Sequence, residues 1–168
     1  MKGRSNIPTG SATGWPRLRL AILALSLLGV GISLYLSTVH YANVPLVCLG
    51  AAGCETVNHS PYSEVAGIAV ALLGLGGYVA ILGLLWAENQ GVVKNDEAAL
   101  ALFGVSLAGV LYSAYLTYVE LFILRAICSW CVISALAMTA IFVLAVVRLR
   151  DAIDLDAPAV TKAAAKKK

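Results

Sequence analysis

Four cysteines fall in two close pairs, Cys48 with Cys54 and Cys128 with Cys131, and dithiols at such spacings can exchange electrons. Cys128-Ser129-Trp130-Cys131 is a C-x-x-C that opens the last long apolar stretch. On a helix, residues three apart share a face, and a Cα separation of roughly 5 Å lies within the range a disulfide accepts. The unpaired N–H groups and the dipole of a helix N-terminus favour a thiolate and lower the pKa of a thiol there. Such a pair can cycle between a disulfide and a reactive thiolate. Cys131 would lie about 4.5 Å deeper along the helix than Cys128, so a lipid-soluble electron acceptor meets it first. Cys48 and Cys54 enclose Leu49-Gly50-Ala51-Ala52-Gly53, residues small enough to close a ring and to move. A shuttle needs that freedom, since one thiol must face a water-soluble partner while the other reaches the second pair. Three plainer readings stand beside the relay. The thiols are inert and buried, or the loop pair is a static disulfide, or all four hold a structural zinc, which C-x5-C fits less well than C-x-x-C.

The hydropathy shows what must position these thiols. Of 168 residues, 60% are hydrophobic and 12% charged, with a mean hydropathy of +0.86, a composition of membrane proteins. Four stretches approach the roughly 20 residues needed to cross a hydrocarbon core: Leu20 to Val39, Val65 to Trp86, Ala98 to Val119 and Ala126 to Val147. Backbone groups cannot go unpaired in lipid, so these runs must be helices. The predicted fold is an all-α integral membrane protein, a bundle of four transmembrane helices. Residues 1–17 form a flexible N-terminus, 18–148 the helix domain and 149–168 a basic tail, whose Ala163–Lys168 end is of low complexity and reads as disordered. The first stretch exceeds the roughly 7–15 apolar residues of a secretory signal, and no small-residue cleavage site follows His40 and Tyr41, so it reads as an uncleaved anchor. The long connection from His40 to Glu64 holds the first cysteine pair, and loops of that size are usually functional or disordered. Within it Asn58-His59-Ser60-Pro61 signals a turn, and Ser60 or Ser63 caps the second helix with Pro61 in its first turn.

Basic residues orient the bundle. Ten of the twelve Lys and Arg lie in the tails, from Lys2 to Arg19 and from Arg148 to Lys168, and none lies between His40 and Glu64. With an even number of helices, this predicts both termini in the cytoplasm of a multi-pass cell-membrane protein. Both cysteine pairs then sit on the extracytoplasmic side, where disulfides persist. The basic tail reads as a solvated flank that touches anionic lipid, not as a nucleic-acid surface.

A repeat at an offset of eighty residues pairs Ser26, Gly29, Ser33, Tyr35 and Cys48 with Ser106, Gly109, Ser113, Tyr115 and Cys128. A helix-pair duplication would make the first and third helices parallel, each delivering a dithiol to the same face. Small residues such as Gly29, Gly74 and Gly109 permit close helix approach in lipid. Glu120 and Arg125 read as an interfacial ion pair or a bias on the acceptor site, and Trp130 as packing at the membrane edge.

The order of these features resembles the vitamin K epoxide reductase family, specifically its bacterial disulfide-forming members. The resemblance rests on Cys48-x5-Cys54, the following Glu55-Thr56-Val57-Asn58-His59-Ser60-Pro61-Tyr62, and Cys128-Ser129-Trp130-Cys131, and covers roughly residues 20–148. It implies a loop-capped quinone pocket within the bundle and an oxidoreductase that supports disulfide bond formation. Cys48 exchanges with a thioredoxin-fold partner, Cys54 passes electrons to Cys128, and Cys131 faces the quinone, of the menaquinone or ubiquinone type. Ser60 corresponds to the family's serine near the relay, and His59, Tyr35 and Tyr115 are the other candidates for the quinone pocket. The chain ends shortly after its fourth helix, so the expected partner is a separate protein. Ala135 stands where the animal enzymes carry a tyrosine, and Ser60 to Trp86 lacks their asparagine, which favours quinone reduction over epoxide chemistry. The rival readings are a vitamin K-type epoxide or quinone reductase working reductively, and a non-redox scaffold with a four-cysteine zinc site.

Overall fold

The computed structural model describes residues 15–42, 44–48 and 53–165, with side chains for all of these except 15, 152 and 154–165. The expected flexible lead-in before Trp15 and the centre of the Cys48–Cys54 loop lie outside the described residues. The apolar runs fold as α1 (Trp15–Ala42), α3 (Val70–Asn89), α4 (Asn95–Tyr118) and α5 (Ser129–Ala165). Four segments are long and apolar enough to span a membrane: Pro16–Ala42, Val70–Asn89, Asn95–Leu124 and Ser129–Asp151. Between α1 and α3 lie a one-turn helix α2 (Cys54–Asn58), a tight turn at Pro61–Ser63, and a hairpin of β1 (Glu64–Val65) and β2 (Ile68–Ala69).

The chain is a four-helix membrane bundle. α1 packs on α3 and α5, and α4 packs on α5 and α3. One core, around Ile22, Tyr78, Ile81, Leu102 and Ile141, fills the middle of the bundle. A second, of Ile32, Leu36, Val39 and Leu46, surrounds Cys54 and Cys128 at one end. Large leucines such as Leu27, Leu111 and Leu136 point outward, as lipid-facing surfaces require. Two glycines of the repeat do the same work on different helices. A Cβ on Gly29 would lie 2.3 Å from the Tyr78 ring, and one on Gly109 would lie 2.8 Å from Met138 Sδ. Ser26 and Ser106 are both fully buried.

Two boundaries differ from expectation. α3 starts at Val70, because Glu64–Ala69 pairs with itself, Glu64 opposite Ala69 and Val65 opposite Ile68. Its two-residue turn places Ala66 at φ 54° and Gly67 at φ 80°, the double positive φ of the tight hairpin turn whose twist matches the strands. Ser60 therefore precedes the Pro61–Ser63 turn in an extended conformation, and neither Ser60 nor Ser63 caps α3. At the other end, α5 runs on through the basic tail to Ala165, the third residue of the Ala163–Lys168 stretch. A helix once nucleated gains one hydrogen bond for each residue it adds.

The end opposite the cysteines is tied by arginines. Arg19 Nη2 donates to Leu85 O at 2.6 Å, and Arg148 pairs with Glu88, both side chains buried.

Candidate active site

The four sulfurs are brought into a line by a backbone contact. Gly53 stands directly before α2, where a Cβ would lie 2.7 Å from Ile127 N and 2.8 Å from Ile127 O. Its φ of −92° is open to any residue, so glycine is needed here for space and not for conformation. Only hydrogen at this position lets the chain before Cys54 lie against the chain before Cys128. The side-chain contacts then run from Cys48 to Cys54, from Cys54 to Cys128, and from Cys128 to Cys131. Cys54 and Cys128 are buried and Cys48 and Cys131 partly exposed, all four as thiols. Among the described residues no three His, Cys, Asp or Glu converge so as to hold a metal ion.

The N-terminus of α5 is the junction of the two pairs. α5 begins at Ser129, which puts Cys128 in the capping position. Its sulfur accepts the Cys131 N–H at 3.3 Å, the bond that a capping side chain makes to the third helical residue. The Ser129 N–H lies against the Cys54 sulfur. The Cys131 side chain, then the same helix-end N–H, lower the Cys128 thiol to about 7 against the pull of burial. Cys54 goes the other way: burial, then contact with Cys48, push it up to about 12, with the Ser129 N–H opposing.

Val47 fixes the start of the line. Its N–H donates to Tyr35 Oη at 3.2 Å, and its carbonyl accepts Trp130 Nε1–H at 2.9 Å. The rings of Tyr35 and Trp130 lie 5.4 Å apart. α1 and α5 thus hold the segment that carries Cys48.

Past Cys131 the line opens into a cavity of about 430 Å³ between the helices, under α2. Its wall is mostly apolar, with Leu36, Val105, Leu116 and Met138 among its residues, and Ala135 also faces it. Two donors in that wall, Asn58 Nδ2 and Tyr112 Oη, are buried with no hydrogen-bond partner among the described residues. Glu120 enters from a π-helical turn, Val119–Leu124, that extends α4. Wide turns of this kind recur at functional sites. Its Oε2 accepts the Cys128 N–H at 3.2 Å. The expected Glu120–Arg125 ion pair does not form among the described residues. Arg125 ends the wide turn in the left-handed region, with φ 51°, and Ala126 N–H closes it on Glu120 O at 3.1 Å.

Of the residues expected at the acceptor site, Cys131 and Ser60 line the cavity. The Ser60 hydroxyl donates to Val57 O at 2.8 Å, so it braces the cap. The other three expected there do not line it. Asn58, the last residue of α2, faces inward, while His59 directly after it faces outward and stacks on His40 with ring centroids 5.9 Å apart. Tyr35 holds Val47, and Tyr115 is half exposed on the outer face of α4. Asn58 and Tyr112, the cavity's two unpartnered donors, are not marked as such by sequence: one lies in the Asn58-His59-Ser60-Pro61 turn and the other on a helix rich in tyrosine, and neither place says which side chain aims inward. His40 holds the cap down, with Nδ1 at 2.9 Å from Asn58 O and Nε2 at 3.0 Å from Glu64 Oε1.

A four-helix membrane bundle with two dithiols aligned at one end has the build of a membrane thiol oxidoreductase. Residues 20–146 match the vitamin K epoxide reductase family. That is most of the chain, which belongs to this family of membrane thiol oxidoreductases, generally linked to quinones.

Proposed function

We propose that this protein reoxidises a thioredoxin-fold dithiol protein outside the cytoplasm and passes the electrons through its two cysteine pairs to a membrane quinone. Both termini are then cytoplasmic, in keeping with the basic residues at the tails and the arginine-tied end of the bundle. The observation that carries this reading is the cavity itself. It is apolar, has Cys131 in its wall, and presents two buried donors without partners. A quinone has an apolar ring and two carbonyl oxygens that only accept, and Asn58 Nδ2 and Tyr112 Oη are the donors that would hold them. Ala135 adds no hydroxyl, which suits quinone reduction and not epoxide chemistry. The quinone is a substrate that enters oxidised, takes two electrons and two protons, and leaves as quinol.

The chain's own part is a run of thiol–disulfide exchanges, starting with both pairs oxidised. A partner thiolate attacks Cys48, and Cys54 leaves as a thiolate. The partner's second thiol then displaces Cys48, and the partner departs as a disulfide. Cys54 attacks Cys128, the Cys54–Cys128 bond forms, and Cys131 is freed as a thiolate facing the cavity. Cys48 then attacks Cys54, restoring the outer disulfide and releasing Cys128. Cys128 and Cys131 close their disulfide as their electron pair passes to the acceptor. The sum is two partner thiols oxidised to one disulfide and one quinone reduced to quinol. The exchange chemistry suits the thiols involved, since a high-pKa thiolate is a strong nucleophile and a low-pKa thiolate a good leaving group.

Anaerobic mixing of the purified membrane protein with a short-chain quinone and a reduced thioredoxin-fold protein tests this reading by quinone absorbance. Loss of oxidised quinone that disappears in Cys48→Ala, Cys54→Ala and Cys131→Ala is the expected result. No reduction, with zinc bound one to one, would leave a structural membrane protein instead.

A further inference from the structure

The exchanges above account for the electrons and leave the protons without a carrier. One carboxyl stands where such a carrier is needed. The Glu120 side chain is 5% exposed and lines the cavity beside Cys131. No Lys or Arg is within ion-pair distance of it among the described residues. It touches both members of the inner pair, through the bond from Cys128 N–H to Oε2 and through contact with the Cys131 side chain. A group that only capped the chain before α5 would need the first contact and not the second. The other titratable groups lining the cavity are Tyr62, Tyr78, Tyr112, Cys128 and Cys131. α2, packed against the Val119–Leu124 turn, adds Cys54 and Glu55.

We propose that Glu120 is a catalytic residue of this site, sharing one proton with Cys131 and delivering it to the electron acceptor. The proposal rests on the quinone reading for the acceptor, while the shared proton belongs to the protein alone. In the reactive form the proton sits on the Glu120 carboxyl and the electron pair on Cys131 Sγ. With the pair reduced to thiols, that form arises when the Cys131 S–H bond breaks and a Glu120 O–H bond forms, leaving the electron pair on sulfur. As the pair oxidises, the Glu120 O–H bond breaks and the proton joins the acceptor's oxygen. The Cys128 S–H bond breaks as the disulfide closes, its proton reaches the acceptor's second oxygen through water, and Glu120 is left as the carboxylate that takes the Cys131 proton in the next cycle.

Glu120→Gln separates this role from a structural one, because a glutamine carbonyl can still accept the Cys128 N–H but cannot give up or take a proton. In reduced, quinone-free protein carrying Cys128→Ala, so that Cys128 adds no step of its own, alkylation of Cys131 is followed against pH by peptide mass spectrometry. Two interacting groups titrate in two macroscopic steps, so this protein should show a two-step rise with Glu120 in place and a single step with Glu120→Gln. Redox difference infrared spectra of protein with all four cysteines should show a protonated-carboxyl band that is lost in Glu120→Gln. Quinone reduction by the variant should fall about 100-fold, the low end of general acid–base effects, with Tm and partner exchange unchanged. A two-step profile that persists in Glu120→Gln, or spectra without a carboxyl band in the wild type, would overturn the proposal and leave Glu120 as a brace for α5. Both signatures with Glu120 in place, beside wild-type protein that reduces no quinone, would sink the quinone reading while the shared proton stands.

Discussion

Gly53→Ala tests the geometry of the relay at its narrowest point. A methyl group there would lie 2.7 Å from Ile127 N and 2.8 Å from Ile127 O, both backbone atoms that cannot swing aside. Bringing the nearer contact to the 3.4 Å of ordinary packing means parting the two chains by about 0.7 Å. Overpacking that the fold resists costs about 1–3 kcal/mol. If the chains yield instead, Cys54 moves away from Cys128 by a similar distance, and misplacement on this scale slows a reaction by roughly 10- to 100-fold. The exchange can be watched without partner or quinone in a Cys131→Ala background. Starting from the Cys48–Cys54 disulfide, Cys128 attacks Cys54, Cys48 leaves, and the Cys54–Cys128 bridge is counted by non-reducing peptide mass spectrometry. The alanine at position 53 should slow that rearrangement by the same roughly 10- to 100-fold while leaving the partner's attack on Cys48 unaffected. Gly76→Ala is the control, since a Cβ there meets nothing within 4 Å. An unchanged rate in Gly53→Ala would refute the claim that this backbone contact sets the approach of the two pairs.

Three further outcomes are expected. In the reduced protein, alkylation of Cys128 should be half-maximal near pH 7, where its thiol is lowered from 9.0, and should fall away as pH drops below that. Cys131→Ala removes the largest cause and should shift the profile upward; an unmoved profile would contradict the assignment. Tyr112→Phe and Asn58→Ala should each raise the quinone KM by about 3- to 10-fold, the worth of one hydrogen bond, and neither should lower Tm, since both donors are unpartnered before binding. Arg148→Ala should destabilise the protein by about 3–5 kcal/mol, the usual result of breaking a buried pair, and the double variant Arg148→Met/Glu88→Leu should recover most of it in thermal unfolding.

What could be read from sequence was local, and what could not was assembled from distant parts. Helix existence follows from runs of apolar residues, and dithiol chemistry from cysteines three and six apart, so both were legible. The hairpin at Glu64–Ala69 was not, because Val65, Ile68 and Ala69 are as apolar as the helix they precede and only Gly67 hinted at a turn. Glu88 stands where the apolar run turns polar, yet its side chain is buried against an arginine sixty residues away. The cavity draws on every spanning helix and on α2. Hence the eighty-residue repeat pairs Tyr35 with Tyr115, while the tyrosine of α4 that faces the cavity is Tyr112, one helical turn before Tyr115. At the end of α2 a single residue step separates inward Asn58 from outward His59, a distinction that composition does not carry.

The α5 N-terminus explains why a relay of four similar thiols would run inward. Each exchange must place a developing thiolate where its charge is tolerated. The outer thiol of the junction, Cys54, is pushed up to about 12 by burial, so as a thiolate it is a poor resting state and a strong nucleophile. The atom it would attack, Cys128 Sγ, already accepts the Cys131 N–H of the helix end. Attack therefore moves negative charge out of a site that disfavours it and onto Cys131, the thiol that leaves and that faces the cavity. On the return, Cys48 displaces Cys128, whose thiol lies near 7 and which leaves readily. Burial at Cys54 and the Cys131 side chain at Cys128 set most of this asymmetry, and the start of α5 at Ser129, not a turn earlier, adds to it. Starting the helix earlier would carry Cys128 into its body, with its sulfur no longer capping the Cys131 amide, and the bias between the two thiols would shrink.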